Sequence, residues 1–306
     1  MNIRLKHKEQ KTGSITKKTH PCFVVIRPYQ WIKNVLVFAP VFFGGKLFDT
    51  AIIIQASLAT CMFCIAASIG YVFNDWVDRK EDRNHPTKRM RPFASKSLSG
   101  KDAIWLTILL ASILIGISIV LVNKYLLLIC IYTYLFISIL YSAYLKKIVL
   151  LEIYIVSFFF VMRVLAGGIA TGIHISNWMF ATTFFLSILI SVAKRKTEIM
   201  IIGESNMKNH RATLQFYSMD YMDHFLWASG VISIVTYALY TVEKGQFLVY
   251  SLIPAIYAIT KFIMITDEGR GGDPILTLVK DTHLIMATLT FLAIISCNIY
   301  LLPFTR

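Results

Sequence analysis

Charge is what this chain has least of: Asp, Glu, Lys and Arg make up 16% of its 306 residues, against about 25% in a soluble domain. Histidine is sparse, and His174, His210, His224 and His283 are scattered along the sequence, so no histidine metal site is expected. Of five cysteines, Cys61 and Cys64 form a Cys-x-x-Cys, but they lie inside an apolar run with no second pair nearby. They read as small packing residues rather than a redox or zinc pair. No Gly/Ser-rich or low-complexity stretch marks a linker, which excludes a string of soluble domains. No short apolar stretch followed by a small-residue cleavage site occurs near the start, so no signal peptide is expected.

What is present is a succession of apolar runs near 20 residues long, the length that crosses a bilayer as a helix. Nine spans are expected, at 23–43, 51–73, 102–122, 125–145, 150–170, 178–193, 224–242, 247–266 and 283–303. The fold class is therefore an all-α integral membrane protein. Residues 1–21 form a basic, disordered cytoplasmic leader, and residues 22–306 form one transmembrane domain. With the N terminus inside, the leader and the loops after spans 2, 4, 6 and 8 hold 23 Lys/Arg, and the outer segments hold four. The positive-inside rule then fixes the orientation in the plasma (inner) membrane, with the polar chemistry facing the cytoplasm. The net charge of +14 needs no nucleic-acid partner. Anionic headgroups and anionic substrates at the inner face account for it.

The loop after span 2, NDWVDRKEDRNHPTKRMRP (74–92), packs four carboxylates and six Lys/Arg into a mostly apolar chain. If span 2 continues as a helix past Asn74, then Asp75, Asp78 and Asp82 stand at i, i+3 and i+7, on one face. Like charges so placed repel by a few tenths of a kcal/mol per pair, and a divalent cation reverses that cost. Mg²⁺ suits the set, because it takes one or two carboxylates and completes its shell with waters and substrate phosphate. Asn74 adds a neutral oxygen. Pro86 and Pro92 stop the helix, leaving His85, Lys88, Arg89 and Arg91 on a bent segment beside it, where guanidinium and ammonium groups match phosphate oxygens. The alternative is a solvated inner loop whose acids only balance its bases.

The motif N-D-x-x-D-x-x-x-D at the inner end of a second span resembles the first aspartate motif of the UbiA superfamily of intramembrane prenyltransferases. Further segments are similar to its decaprenyl-phosphate phosphoribosyltransferase branch: RPYQWIKNVLVFAPVFFGG (27–45), the 74–99 loop, VMRVLAGGIATG (161–172), AKRKTE (193–198) and DEGRGGDPILTLVKD (267–281). The resemblance implies about nine helices around a cavity open to the cytoplasm. It also implies Mg²⁺-dependent transfer of phosphoribose from 5-phosphoribosyl 1-diphosphate (PRPP) to a polyprenyl phosphate, decaprenyl or undecaprenyl. Asp75, Asp78 and Asp82 with Asn74 would hold the metal. Prenyl-transferring members carry a second D-x-x-x-D after span 6. Here that loop offers Lys194, Arg195, Lys196 and Glu198 and no aspartate pair, which favours a phosphate-rich sugar donor over prenyl transfer to an aromatic acceptor. The superfamily's Tyr-x-x-x-Lys would put a lysine four residues after Tyr141, whereas Lys146 is five residues on. Both are kept as substrate-binding candidates without that pairing.

Arg27, Gln30, Lys33 and Asn34 share one face of span 1. Lys33 lies two turns into an apolar run, where a lipid-facing charge is expensive; either it snorkels or, with Asn34, it lines the cavity and touches a substrate phosphate. Arg163, in the middle of span 5, either meets a lipid or sugar phosphate or pairs with a carbonyl or acid of another span. Gly167 and Gly168 behind it permit close helix packing. In the 267–274 turn, Arg270 and Asp273 are substrate-binding candidates, although its glycines and proline are also ordinary turn formers.

Overall fold

The computed structural model describes residues 20–84, 88–202 and 213–301. The leader (residues 1–19), His85 and His210 lie outside them. Among the described residues the secondary structure is helical, and eight helices are long and apolar enough to cross a membrane. The chain is a multi-pass membrane protein.

The first expected span is not one helix. It runs as α1 (Pro21–Ile26), an 11-residue 3-10 helix (Pro28–Phe38) and α2 (Ala39–Phe43). The break falls at Arg27, whose φ of 55° is left-handed, and Pro28 follows it and cannot donate to the helix behind it. The length of the apolar run predicted a crossing but not its form, and Pro28 and Pro40 near its two ends are what break it. Trp31 Nε1 donates to Ser68 Oγ at 3.1 Å and Ser68 Oγ to the Ile26 carbonyl at 3.1 Å, pinning the broken segment to the next helix.

That helix, α3 (Thr50–Arg83), continues nine residues past Asn74. Asp49 caps it by accepting from Ala51 N and Ile52 N. The carboxylate spacing therefore sits on real helix. Ser99 and Asp102 form a capping box that starts α4 (Gly100–Val120), and α5 (Tyr125–Ala143) runs back along α3. α6 (Leu151–Thr171) ends on left-handed Gly172. α7 (Asn177–Ile202), α8 (Met219–Lys244), α9 (Leu252–Asp267), the short α10 (Pro274–Lys280) and α11 (Thr282–Ser296) complete the bundle.

Two apolar cores hold it together. One gathers α3, α4, α5 and α6 around Met62, Phe63, Leu114 and Ile131, all fully or almost fully buried. The other gathers α7, α8, α9 and α11 around Leu189, Val192, Met222 and Ile263. Between them run α6 and the 3-10 segment, which touch very closely. A Cβ on Gly167 would stand 1.9 Å from the Val37 carbonyl oxygen, so only glycine admits this approach. Outward faces such as Ile104, Trp105, Ile108 and Ile119 of α4 are exposed, as a lipid-facing surface requires.

Candidate active site

The C-terminal parts of α3, α5 and α7 and the N-terminal half of α6 surround a cavity of 670 Å³ whose wall carries nine Lys/Arg against five Asp/Glu. Such a surplus of positive charge in a low-dielectric enclosure attracts anions. Asn74, Asp78 and Asp82 from α3 line it, as do Lys33, Lys88, Arg91, Tyr141, Lys146, Arg163, Lys194, Arg195 and Glu198. Five of the expected residues among those described are not in the wall: Asn34, Asp75, Arg89, Arg270 and Asp273. Arg89 is exposed outside it. Exposed Arg270 pairs with Glu268, and Asp273 caps α10 by accepting from Ile275 N and Leu276 N.

Asp75, Asp78 and Asp82 of α3 are each held by a cation. Asp75 is 2% exposed and does not line the cavity; Arg27 Nη2 reaches it at 2.6 Å and Arg91 Nη1 at 3.2 Å. The same Arg91 nitrogen lies 2.9 Å from Asp82 Oδ2. Lys146 Nζ donates to Asp78 and lies 3.5 Å from Asn74 Oδ1. Because α5 ends at Ala143, Lys146 reaches across from a 3-10 turn (Leu145–Lys147) rather than from the helix.

Among the described residues no three His, Cys, Asp or Glu side chains converge on a metal position. The oxygen donors that α3 presents to the cavity are the carboxylates of Asp78, Glu81 and Asp82 and the amide oxygen of Asn74. This set fits a hard cation that takes few protein ligands and fills its shell with water and phosphate oxygens, and does not fit a closed protein cage.

Arg163 is 4% exposed and well anchored. Its Nε donates to Asn34 Oδ1 at 2.7 Å, Nη1 to the Phe159 carbonyl at 2.5 Å and Nη2 to Tyr134 OH at 3.2 Å. Asn34 Nδ2 in turn donates to Cys64 Sγ at 3.1 Å, and all five cysteines are free thiols. Arg163 thus ties α6, α5 and the 3-10 segment with neutral acceptors, and its charge remains for an anion in the cavity it lines.

Glu152, a single acid at the start of an apolar run, escaped the sequence reading. It is 1% exposed, accepts from Thr213 Oγ1 at 2.7 Å, and lies 3.3 Å from Arg195 Nε. Arg195 also bonds Glu198, so this guanidinium is clasped between two acids. Beside it, Lys196 bonds Asp223 and Asp267, joining α7, α8 and α9. Leu150 N donates to Tyr217 OH at 2.8 Å; burial pushes the Tyr217 phenol above its ordinary range and keeps it neutral. Arg195→Met removes a guanidinium from two acids, one of them the deeply buried Glu152, and is expected to cost about 3 kcal/mol, read as a lower thermal midpoint in detergent. An unshifted midpoint would show that the pair does not hold α6 to α7.

A second, apolar cavity of 440 Å³ lies among α7, α8, α9, α10 and α11, lined by residues such as Leu186, Leu189, Ile259, Phe262 and Phe291. Lys33 and Phe160 belong to the walls of both cavities.

Comparison with known proteins agrees with this architecture. The sequence profile described as the UbiA prenyltransferase family matches residues 35–278. The decaprenyl-phosphate phosphoribosyltransferase of Corynebacterium glutamicum is 31% identical over 288 residues, covering 91% of this chain and 86% of that protein. Its counterpart in Mycobacterium tuberculosis is 32% identical over 286 residues, covering 90% and 92%. A solved UbiA homolog from Archaeoglobus fulgidus bound to GPP and Mg²⁺ matches with a TM-score of 0.69 over 92% of this chain and 99% of that one. At 16% identity, this is a likeness of fold.

Proposed function

The chain belongs to the UbiA prenyltransferase family, and from that premise we propose that it transfers 5-phosphoribose from PRPP to a polyprenyl phosphate, releasing diphosphate. The observation that carries the reading is the pair of adjoining cavities. One is polar and cation-rich with oxygen donors on α3, the other is apolar, and they share Lys33 and Phe160. The first suits a donor with several phosphates, the second an isoprenoid chain. Relatives named decaprenyl-phosphate phosphoribosyltransferase, covered along most of their length, support the same activity.

In this account Lys88, Arg91 and Lys146 bind donor phosphate oxygens, with Asp78, Asp82 and Asn74 positioned to hold Mg²⁺. The bound cation would neutralise charge on the departing diphosphate. Asp75, behind the wall, holds Arg27 and Arg91 in place. The C1–O bond to diphosphate breaks as an acceptor phosphate oxygen bonds to C1. Cations aimed at the leaving group stabilise the transition state more than the ground state. A phosphate monoester is already anionic near neutral pH, so no strong general base is required. The buried setting limits water, whose attack would waste the donor. The donor enters from the cytoplasmic side of the plasma membrane, and the N terminus lies on that side, in keeping with the charge bias of the loops.

The test is product analysis by mass spectrometry after mixing the purified protein with PRPP, Mg²⁺ and undecaprenyl phosphate in detergent, where no membrane gradient exists. Phosphoribosyl lipid is expected. Its absence, together with turnover of a labelled prenyl diphosphate, would assign the site to prenyl transfer instead; no turnover of either would point to transport or lipid binding. Within the same assay, Lys88→Gln is expected to raise the PRPP KM by about tenfold, the value of one charge-assisted contact. Arg89→Gln, outside the wall, should have the smaller effect; equal effects would remove Lys88 from the donor site.

A further inference from the structure

A serine inside a helix ordinarily satisfies its hydroxyl on its own backbone. Ser187 on α7 does so, donating to the Thr183 carbonyl at 2.7 Å, and Ser157 on α6 donates to Ile153 at 2.9 Å. Ser191, one turn beyond Ser187, does not. It is 8% exposed, lines the polar cavity, and its Oγ has no hydrogen-bond partner among the described residues. A buried hydroxyl left in this state is retained at a cost.

Its position gives that cost a purpose. Along α7, Leu186, Leu189 and Ile190 line the apolar cavity, while Ser191, Lys194 and Arg195 line the polar one. Ser191 is the first polar residue past the boundary. Lys33 and Phe160, which belong to both walls, mark the same boundary on the neighbouring elements. No hydrogen bond or ion pair engages the Lys33 ammonium among the described residues, whereas Arg195 is clasped by Glu152 and Glu198. A molecule with a long apolar tail and one anionic head, lying across the two cavities, must place its head at this boundary. The diphosphate of the sugar donor is matched instead by the α3 end of the polar cavity.

We propose that Ser191 donates its hydroxyl to the phosphate of the polyprenyl phosphate acceptor, with Lys33 as the counter-ion, so that this boundary is the acceptor-phosphate subsite. The proposal rests on the function proposed above and adds which end of the cavity takes which substrate. It makes Ser191 a specificity residue: an acceptor lacking the phosphate leaves both the hydroxyl and the ammonium unanswered.

The experiment uses the full chain in detergent, as wild type, Ser191→Ala and Ser191→Thr. KM is measured separately for undecaprenyl phosphate and PRPP. Binding of farnesyl monophosphate, and separately of PRPP, is titrated in the absence of the other substrate. Ser191→Ala is expected to raise the acceptor KM and the farnesyl monophosphate Kd by about tenfold, the worth of one hydrogen bond to a charged group. The PRPP KM should stay within about twofold and the thermal midpoint should not fall, because no described partner is lost and an unsatisfied buried hydroxyl is removed. Ser191→Thr, which keeps the hydroxyl, should recover a large part of the affinity. An unchanged acceptor KM, a rise confined to PRPP, or both KM values rising with a lowered midpoint would overturn the proposal. If wild type binds farnesyl monophosphate through Ser191 yet forms no phosphoribosyl lipid, the subsite stands and the proposed reaction falls. If wild type forms the product and Ser191→Ala behaves identically, only the subsite falls.

Discussion

Asp78→Ala and Asp82→Ala are each expected to lower phosphoribosyl transfer by at least about a hundredfold, the scale on which losing one preorganised electrostatic contact to a transition state is felt. Both carboxylates face the polar cavity from the C-terminal end of α3. Their removal still leaves Lys146 beside Asn74 Oδ1 at 3.5 Å and Arg91 beside Asp75 Oδ1 at 3.2 Å, and Arg91 stays 26% exposed. The fold should survive, since each cation keeps a second polar partner and is not left as an uncompensated buried charge. Activity in detergent, read beside the thermal midpoint and elution volume of each variant, checks the claim. Full activity in a properly folded Asp78→Ala or Asp82→Ala protein would remove these residues from the reaction.

Gly167→Ala should be the most damaging single methyl in the molecule. Its Cβ would stand 1.9 Å from the Val37 carbonyl oxygen and 2.9 Å from the carbonyl carbon. The obstacle is backbone, so no side chain can swing aside, and α6 must separate from the 3-10 segment that carries Lys33 and Asn34. Overpacking of this kind costs about 1–3 kcal/mol or more. The same displacement pulls Asn34 from Arg163, now 2.7 Å away, so activity should fall together with the thermal midpoint. Gly116→Ala is the control. It lies in α4 with nothing within 4 Å of the added methyl, where alanine is favoured over glycine by about 0.5–1 kcal/mol. A Gly167→Ala protein as stable as Gly116→Ala would show that the segment can retreat freely.

The pattern of apolar runs was enough to place eight of the nine expected spans, because length and hydropathy decide whether a segment crosses. The α3 tail was legible for a similar reason: Asp78 and Asp82 lie on a helix whose period fixes their common side. Three kinds of feature were not. The interruption at Arg27 depends on backbone geometry that an apolar count does not register, although Pro28 marks the place. Lys146 reaches Asp78 from a 3-10 turn, where helical spacing from Tyr141 has no meaning. Glu152 takes its role from Arg195 and Thr213, 43 and 61 residues away, contacts that no local pattern encodes. Arg89, Arg270 and Asp273 show the converse: their side-chain types suit phosphate chemistry, but on loops nothing periodic sets the direction in which they point, and they fall outside the wall. Ser191 was invisible because a lone serine in an apolar helix is ordinarily satisfied by its own backbone.

The central claim is that Asp78 and Asp82 bring a divalent cation to the diphosphate of the sugar donor. A structure of the protein determined with PRPP and Mg²⁺ tests it most directly. The account predicts a metal about 2.1 Å from carboxylate oxygens of these two residues, bridging to the donor diphosphate, with Arg91 and Lys146 turned onto phosphate oxygens. Donor bound elsewhere, with Asp78 still on Lys146 and Asp82 still on Arg91, would contradict it.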